Sequence, residues 1–255
     1  MSIQIPVAKP PWKGDGKNLE SLVRKALNQY EMIEQDAIAV ALSGGKDSLA
    51  LLYMLHAVNG FGVKPFKLIA IHVAGAFSCG ANIEIPFLKA ICKELDIPLI
   101  IKQTASNEPP KECYPCSRER RKLLFEAAKE ENIHTIAFGH HRDDIVNTLL
   151  LNLYQKGEFA AMLPKIHMHH YEINIIRPLM FIPESKIIAF AKANKFFRIT
   201  CQCPVGQHSQ RKKVDELIKE TEKIFPNIRM NLMHSVLTYG SQKANKKPKE
   251  KKKDA

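Results

Sequence analysis

A glycine-rich turn, Ser43–Ser48, joins a strand pattern to a helix pattern and constrains the fold more than any other feature. The apolar run before it, Ala37–Leu42, is too short for a helix and predicts a buried strand, and Asp47–Val58 predicts the helix that follows. Longer helical segments then separate four more strand-sized apolar runs: Lys67–Val73, Leu99–Lys102, Thr135–Phe138 and Ile173–Ile176. Because strands that alternate with helices form parallel sheets, we expect an α/β fold. Its doubly wound, mostly parallel five-stranded sheet would carry flanking helices and a helical C-terminal region.

The 255 residues fit one large domain with an extension at each end. Residues 1–17 are rich in proline and glycine and predict an extended arm, residues 18–240 predict the folded domain, and residues 241–255 predict a disordered lysine-rich tail. Within the domain, residues 157–170 predict a basic, histidine-containing loop. No apolar run approaches the roughly 18 residues that a membrane span needs, and the first residues lack a signal-peptide pattern. We therefore expect a cytoplasmic protein without a membrane segment.

The charge balance is strongly basic, with a formal net charge of +12. The tail from Lys243 to Ala255 holds seven lysines against two acidic residues, and the body of the chain carries the remaining excess. A basic body predicts a polyanionic partner, most simply a nucleic acid. The alternative is a mildly basic soluble protein with no such partner.

The turn itself has the chemistry of a phosphate-binding loop. Two glycines, Gly44 and Gly45, allow backbone N–H groups to approach a phosphate closely, and the start of the next helix favours the anion. Ser43 and Ser48 add hydroxyl donors, Lys46 adds charge, and Asp47 suits a Mg²⁺ ion or an orienting backbone bond. Neither the Walker A nor the Rossmann glycine spacing fits. The alternative, a plain strand-to-helix turn, explains the glycines but not the whole hexapeptide.

The six cysteines are more typical of metal ligands or redox groups than of a disulfide framework, since cytosolic thiols stay reduced. Cys113 and Cys116 form one C-x-x-C pair, and Cys201 and Cys203 follow in a late loop. From the residues alone, the pair is compatible with core thiols, half of a zinc site, a redox pair or half of an iron–sulfur site. A single C-x-x-C is weak for structural zinc.

The hexapeptide S-G-G-K-D-S resembles the pyrophosphate loop of the N-type ATP pyrophosphatases (the PP-loop superfamily). Four further segments, in order, resemble the tRNA 2-thiocytidine synthetase family within it: Cys113–Cys116 with Arg118, Arg120 and Arg121; Gly139–Asp144; Arg177–Leu179; and Ser209–Arg211. The resemblance covers about residues 20–235. Two features depart from the family pattern: His72 lies near a strand end where an acidic residue is expected, and the late pair is C-x-C.

This resemblance implies an ATP-dependent tRNA sulfurtransferase that forms AMP and pyrophosphate. It would adenylate the C2 carbonyl of a pyrimidine, most simply an anticodon-loop cytidine, and replace its oxygen with sulfur. The implied cofactors are ATP, Mg²⁺ and a 4Fe–4S cluster on Cys113, Cys116 and Cys203. The implied partners are tRNA and a cysteine desulfurase or other sulfur donor, and a homodimer is compatible with the resemblance.

The resemblance also implies roles for individual residues. The expected ATP-binding residues are Ser43, Gly44, Gly45, Lys46, Asp47, Ser48, His72, Gly139 and His140. Asp47 or Asp144 would hold Mg²⁺, and the expected catalytic residues are Asp47, Asp143, Asp144 and Arg120. The expected tRNA-binding residues are Arg118, Arg121, Lys165, Arg177 and Arg211. The two adjacent aspartates are also compatible with simple helix capping.

Three other functions remain open at this point. A lysidine-type tRNA ligase would use the same ATP chemistry with an amine and no cluster. A 2-thiouridine synthetase would carry additional zinc-finger cysteine pairs, which this sequence lacks. An RNA-binding module without catalysis would have no need of the phosphate loop.

Overall fold

The computed structural model describes residues 7–75, 85–104, 113–196 and 210–241, with only the backbone for 113–116. Its sheet has six strands in the order β3-β2-β1-β4-β6-β5. All neighbouring strands are parallel except β5 and β6, which form an antiparallel edge. The strands are β1 (Ala37–Ala41), β2 (Lys67–Ala74), β3 (Leu99–Gln103), β4 (Thr135–Ala137), β5 (Lys165–Met168) and β6 (Ile173–Ile176).

Eight helices lie within the described residues: α1 (Gly16–Gln29), α2 (Lys46–Val58), α3 (Ile85–Glu94), α4 (Cys113–Glu130), α5 (Arg142–Lys156), α6 (Glu184–Ala193), α7 (Gln210–Ile224) and α8 (Ile228–Tyr239). None of them is long and apolar enough to cross a membrane. The chain before α1 packs on this body, since Ala8 is buried and the Trp12 ring lies edge-on to Phe190 at 5.5 Å.

The two faces of the sheet bury different helices because successive strand residues point to opposite sides. On β1, Ala39 belongs to a cluster that includes Leu124 and Phe125 of α4. Its neighbours Ile38 and Val40 belong to the larger cluster on the other face, which includes residues of the other seven helices. The inner strands are therefore apolar on both faces, which is why their sequences are largely uninterrupted apolar runs.

The sequence prediction of the fold class is confirmed, and one strand was missed. The edge strand β5 lies inside residues 157–170, which the sequence predicts as a loop. It has only four residues, and its Lys165 and His167 are not buried, so it lacks the apolar run that marks the inner strands. Only its alternate residues Ile166 and Met168 pack against the core, and an antiparallel edge strand commonly has one apolar face.

Strand order places the ends of β1 and β4 at a crevice. The chain leaves β1 toward β2 on one side, and β4 lies against β1 on the other. Ligands of open α/β sheets bind at such a switch point, outside the carboxyl ends of the strands. The turn Ser43–Ser48 and the segment Gly139–Asp144 both leave the sheet there.

Candidate active site

A cavity of about 530 Å³ opens at this crevice. Its floor is formed by the ends of four parallel strands, and the first turns of α4 lie over it. Its lining includes residues of the phosphate loop, residues of the segment after β4 and three arginines: Ser43, Asp47, Ser48, Phe138, Gly139, His140, Asp144, Arg121, Arg177 and Arg211.

Two serines hold the phosphate loop in shape. The Ser48 hydroxyl accepts a bond from the Gly44 N–H at 3.0 Å and donates to the Gly45 carbonyl at 3.0 Å. The Gly45 N–H donates to the Ser43 hydroxyl, 3.3 Å away. Gly44 has a φ of +82°, which favours glycine. The loop is thus organised before any ligand binds, and it leads directly into α2, whose start favours an anion.

Lys46 does not line the cavity. Its buried ammonium lies 2.9 Å from the carboxylates of both Asp47 and Glu184. Burial alone would lower the pKa of Lys46, but these two carboxylates outweigh it and raise the pKa above its usual value. Lys46 therefore stays charged, orients Asp47 and ties α2 to α6 rather than facing a ligand.

Gly139 allows the segment after β4 to lie directly against the start of α2. A Cβ atom at this position would stand 3.0–3.1 Å from backbone atoms of Asp47 and Ser48. Real Cβ atoms seldom come so close to backbone. The two loops expected to bind ATP are therefore in contact, and glycine at position 139 is what permits it.

Two carboxylates of the cavity converge on one buried histidine that the sequence analysis did not select. Nε2 of His141 lies 3.8 Å from Asp47 and 3.4 Å from Asp144. The His141 N–H also donates to the Asp144 carboxylate at 3.2 Å. Asp47 and Asp144 are 97 positions apart in the chain, and the fold brings them to the same side of the cavity. In the sequence, the only indication of this contact is the position of His141 next to His140, three residues before Asp144.

Electrostatics set the charge of the groups around Asp144. Burial favours its neutral form, yet His141, His140, Arg211 and the backbone N–H of His141 together hold the pKa of Asp144 below its usual range. Burial, with the charge of Arg177, lowers the pKa of His140 far below its usual value. Near neutral pH, Asp144 is an anion and His140 a neutral ring, stacked on Phe138 with centroids 5.5 Å apart.

Asp143, the neighbour of Asp144, faces away from the cavity. One of its carboxylate oxygens accepts the Glu184 N–H at the start of α6 at 2.6 Å, and the other pairs with Arg229 of α8 at 3.1 Å. Arg229 also binds Asp215 and Glu222 of α7. The structure thus brings Asp47 and Asp144 together and uses Asp143 to join three helices.

His72 also lies outside the cavity lining, behind the phosphate loop. Its Nδ1–H donates to the Leu42 carbonyl at 2.8 Å, just before Ser43. Burial lowers the pKa of His72 and outweighs the effect of this bond, so the ring stays neutral. His72 therefore supports the end of β1 through the Leu42 carbonyl.

Of the five cations expected to bind tRNA, three line the cavity and two do not. Arg121, Arg177 and Arg211 line the cavity, together with the catalytic candidate Arg120, which donates to the Val73 carbonyl at 2.6 Å. Arg118 is exposed on α4 and is not part of the lining. Lys165 lies elsewhere, on the edge strand, where it binds the Glu34 carboxylate at 2.6 Å.

The comparison with known proteins agrees with this geometry. The model of the PP-loop domain matches residues 18–199. Curated tRNA-cytidine(32) 2-sulfurtransferases match as well. That of Ralstonia nicotianae is 38% identical over 216 residues, which covers 82% of this chain and 69% of the relative. That of Geotalea uraniireducens is 34% identical over 227 residues, which covers 86% of this chain and 90% of the relative. The chain belongs to the PP-loop family of tRNA-cytidine 2-sulfurtransferases.

A solved tRNA thiolase shares the fold. It is the U34-tRNA thiolase NcsA from Methanococcus maripaludis, determined with its 4Fe–4S cluster. The TM-score is 0.71 with 23% identity, over 91% of this chain and 85% of that one. For this PP-loop sulfurtransferase, the likeness supports the fold.

The family's cysteines lie partly inside the described structure. Cys113 begins α4 and Cys116 follows in its first turn, one turn before Arg120 and Arg121 at the cavity. Cys201 and Cys203 lie outside the described residues. Within those residues, no group of three or more His, Cys, Asp or Glu side chains is arranged to hold a metal ion.

Proposed function

We propose that this protein replaces the C2 oxygen of a tRNA cytidine with sulfur and consumes one ATP, forming AMP and pyrophosphate. The observation that carries the proposal is the shared cavity of a preformed phosphate loop, the Asp47–Asp144 carboxylates and several arginines. The loop suits a pyrophosphate group, and the arginines suit an RNA phosphate. A binding module without catalysis would not need this carboxylate pair beside the loop.

Adenylation makes the cytidine oxygen a leaving group. The C2 oxygen attacks the α-phosphorus of ATP, and the bond between the α- and β-phosphates breaks to release pyrophosphate. A sulfur nucleophile then forms a bond to C2, and the C2–O bond breaks so that AMP leaves with the original oxygen. The chain's own residues bind pyrophosphate at Ser43–Ser48 and orient the α-phosphate. We assign Arg120 to stabilising charge on the α-phosphate, because it lines the same cavity.

The carboxylates fit a Mg²⁺ site that is completed by substrate. Mg²⁺ is usually held by one or two carboxylates together with phosphates and water. Asp47 and Asp144 both lie within 4 Å of Nε2 of His141, and they are not joined by a third carboxylate in the cavity lining. When bound, Mg²⁺ would neutralise charge on the leaving pyrophosphate. Asp143 is assigned a structural role instead, because both of its oxygens are engaged by α6 and α8.

The cysteines fit an iron–sulfur group beside the cavity. Cys113 and Cys116 are three positions apart in the first turn of α4, and residues separated by three share a helix face. A helix start also favours thiolates, which are the ligands of iron–sulfur clusters. We propose that Cys113, Cys116 and Cys203 hold a 4Fe–4S cluster, which when bound would supply the sulfur at the cavity. Since each turnover uses one sulfur atom, a cysteine desulfurase or other donor must reload the protein.

Two further proposals concern the oligomeric state of the protein and its location in the cell. Ile224, Phe225 and Met230 are exposed apolar side chains around the junction of α7 and α8, which supports a homodimer. A tRNA substrate supports a cytoplasmic protein.

The test is the product pattern of ATP cleavage. With unmodified tRNA, we expect AMP and pyrophosphate, together with 2-thiocytidine when the nucleosides are analysed by mass spectrometry. Asp47→Ala and Ser48→Ala should abolish cleavage and leave tRNA binding nearly intact. Ser235→Ala is a matched control, because its hydroxyl bonds the Leu232 carbonyl within α8. Release of ADP and phosphate would contradict the proposal, and incorporation of an amine would indicate a ligase.

A further inference from the structure

Arg177 is a buried cation without a carboxylate partner in the described part of the chain. It follows β6 and is only 8% exposed. One guanidinium N–H group donates to the Leu163 carbonyl, and Nε is buried without any hydrogen-bond partner there. A buried charge that lacks a counter-ion is strongly unfavourable, so such a group is usually retained for a ligand.

The cavity lining holds more arginines than carboxylates, and Arg177, Arg121 and Arg211 all belong to it. Burial, and after it the charge of Arg121, lowers the pKa of Arg177 to about 10, while the charge of Asp144 acts in the opposite direction. The guanidinium therefore remains a cation at neutral pH. Asp144, an acidic residue of the same lining, lies 3.5 Å from Arg211. This end of the cavity is therefore a preformed anion site that no carboxylate among the described residues fills.

The position of Arg177 separates it from the phosphate loop. The loop follows β1, whereas Arg177 follows β6, with β4 between them. Neighbouring strands lie about 4.8 Å apart, so the two strand ends are separated by about 10 Å.

The other half of the cavity suits an adenine ring. Around β1 and β2 its lining includes the apolar side chains of Ala41, Ile71, Val73 and Leu124, and Arg120 bonds the Val73 carbonyl beside them. An ATP molecule with its phosphates on the loop and its base in this half would extend away from Arg177. The anion at Arg177 therefore comes from the second substrate.

We propose that Arg177 binds a backbone phosphate of the tRNA next to the nucleotide to be modified, with Arg121 and Arg211 as flanking cations. This inference rests on the proposed function, because it requires tRNA as the substrate. A single bound phosphate, held this deep, would fix the target nucleotide relative to the α-phosphate of ATP.

The test compares tRNA and ATP binding in Arg177→Met and in the wild-type full chain. We expect tRNA affinity to fall about tenfold or more, since hydrogen bonds to charged groups are strong. The slope of log affinity against log salt should become shallower by about 0.7, as expected for one single-strand phosphate contact. Binding of the non-cleavable analogue AMPCPP should stay unchanged. The exposed Lys192 provides the control, and Lys192→Gln should alter neither affinity.

Thermal unfolding separates a binding role from a structural one. Because free Arg177 is an uncompensated charge, Arg177→Met should leave the Tm of the ligand-free protein unchanged or raise it, and should remove the increase in Tm that tRNA causes. A large drop in the ligand-free Tm would show a structural role and overturn the proposal. Arg211→Gln, at a half-exposed flanking cation, provides the same salt measurement in a second variant.

The remaining outcomes are also decisive. Loss of AMPCPP binding with tRNA binding retained would assign Arg177 to ATP and overturn the inference. An unchanged salt slope in both Arg177→Met and Arg211→Gln would overturn it as well. If the wild-type protein itself binds no tRNA, the proposed function fails, which is a different result from failure at Arg177 alone.

Discussion

Gly139 touches the backbone of Asp47 so closely that a Cβ atom on Gly139 would stand 3.0 Å from the Asp47 carbonyl carbon. The end of β4 and the start of α2 thus form one packed unit. The carboxylate of Asp47 and the ring of His140 take their positions in the cavity from this contact.

Gly139→Ala should therefore weaken ATP binding. The added methyl group meets backbone and not a flexible side chain, so the phosphate loop must shift by a few tenths of an ångström. We expect a loss of about ten- to a hundredfold in kcat/KM for ATP, since small misplacements of this kind are costly. Titration with AMPCPP and steady-state kinetics measure the effect.

Gly157→Ala is the matched control for this change. Gly157 has a φ of +63° with open space around its Cβ position, so alanine there costs about 1 kcal/mol of backbone strain without a clash. It should lower the free energy of unfolding and leave ATP affinity unchanged. Equal ATP affinity in Gly139→Ala and the wild type would contradict the close-contact argument.

Arg229→Met should destabilise the whole protein. The Arg229 guanidinium is buried and pairs with Asp143, Asp215 and Glu222, so its loss leaves three carboxylates without their shared partner. Removal of one member of a buried pair costs about 3–5 kcal/mol. Urea unfolding measures the loss, and Lys223→Met, which breaks an exposed ion pair with Glu220, should cost less than about 1 kcal/mol.

The destabilisation by Arg229→Met should depend on pH. Burial tends to raise the pKa of Asp215, but bonds to Lys219 and Arg229 outweigh it and hold the pKa below 3.8. A carboxylate with a depressed pKa contributes stability above its unfolded value, about 3.9, and loses it as the pH falls through the folded value. The stability gap between wild type and variant should thus be widest above about pH 4 and narrow below it. A gap that stays constant down to pH 3 would be inconsistent with this account.

Prediction from sequence was most successful where the signal was local. The inner strands are apolar on both faces, and the phosphate loop is contiguous, so both were found. The roles of Asp143 and Asp144 were not separable, because successive helical residues point about 100° apart and only the fold decides which faces the cavity. The contact between Asp143 and Arg229 spans 86 positions, and no local pattern marks it.

Cys203, and not Cys201, should be required for the cluster. The family's late cysteine lies a fixed distance before the Gln-Arg segment, and Cys203 keeps that distance to Gln210-Arg211. Pro204 follows Cys203 in the sequence, and a proline ring restricts the backbone φ angle. After anaerobic reconstitution, Cys113→Ala, Cys116→Ala and Cys203→Ala should lose iron and visible absorption, whereas Cys201→Ala should keep both. Stoichiometric zinc without iron in every variant would show that the cluster assignment is wrong.

Removal of residues 243–255 should weaken tRNA binding without harming catalysis. The segment holds seven lysines and two acidic residues, and each lysine that contacts an RNA phosphate releases a counter-ion. The truncated chain should show lower tRNA affinity at low salt and a shallower salt slope, with unchanged ATP cleavage at saturating tRNA. An unchanged slope would show that the tail is not an RNA-binding arm.

The later part of α4 packs against the sheet, whereas residues near its start line the cavity. Its later residues, Leu124 and Phe125, are buried against the sheet, while Ser117 and Arg118 near its start are exposed. A straight helix transmits a tilt at its anchored end as a larger displacement at its tip. The apolar residues that hold α4 to the sheet therefore help to set the position of Arg120 and of the first turn of α4, although none of those apolar residues carries any chemistry.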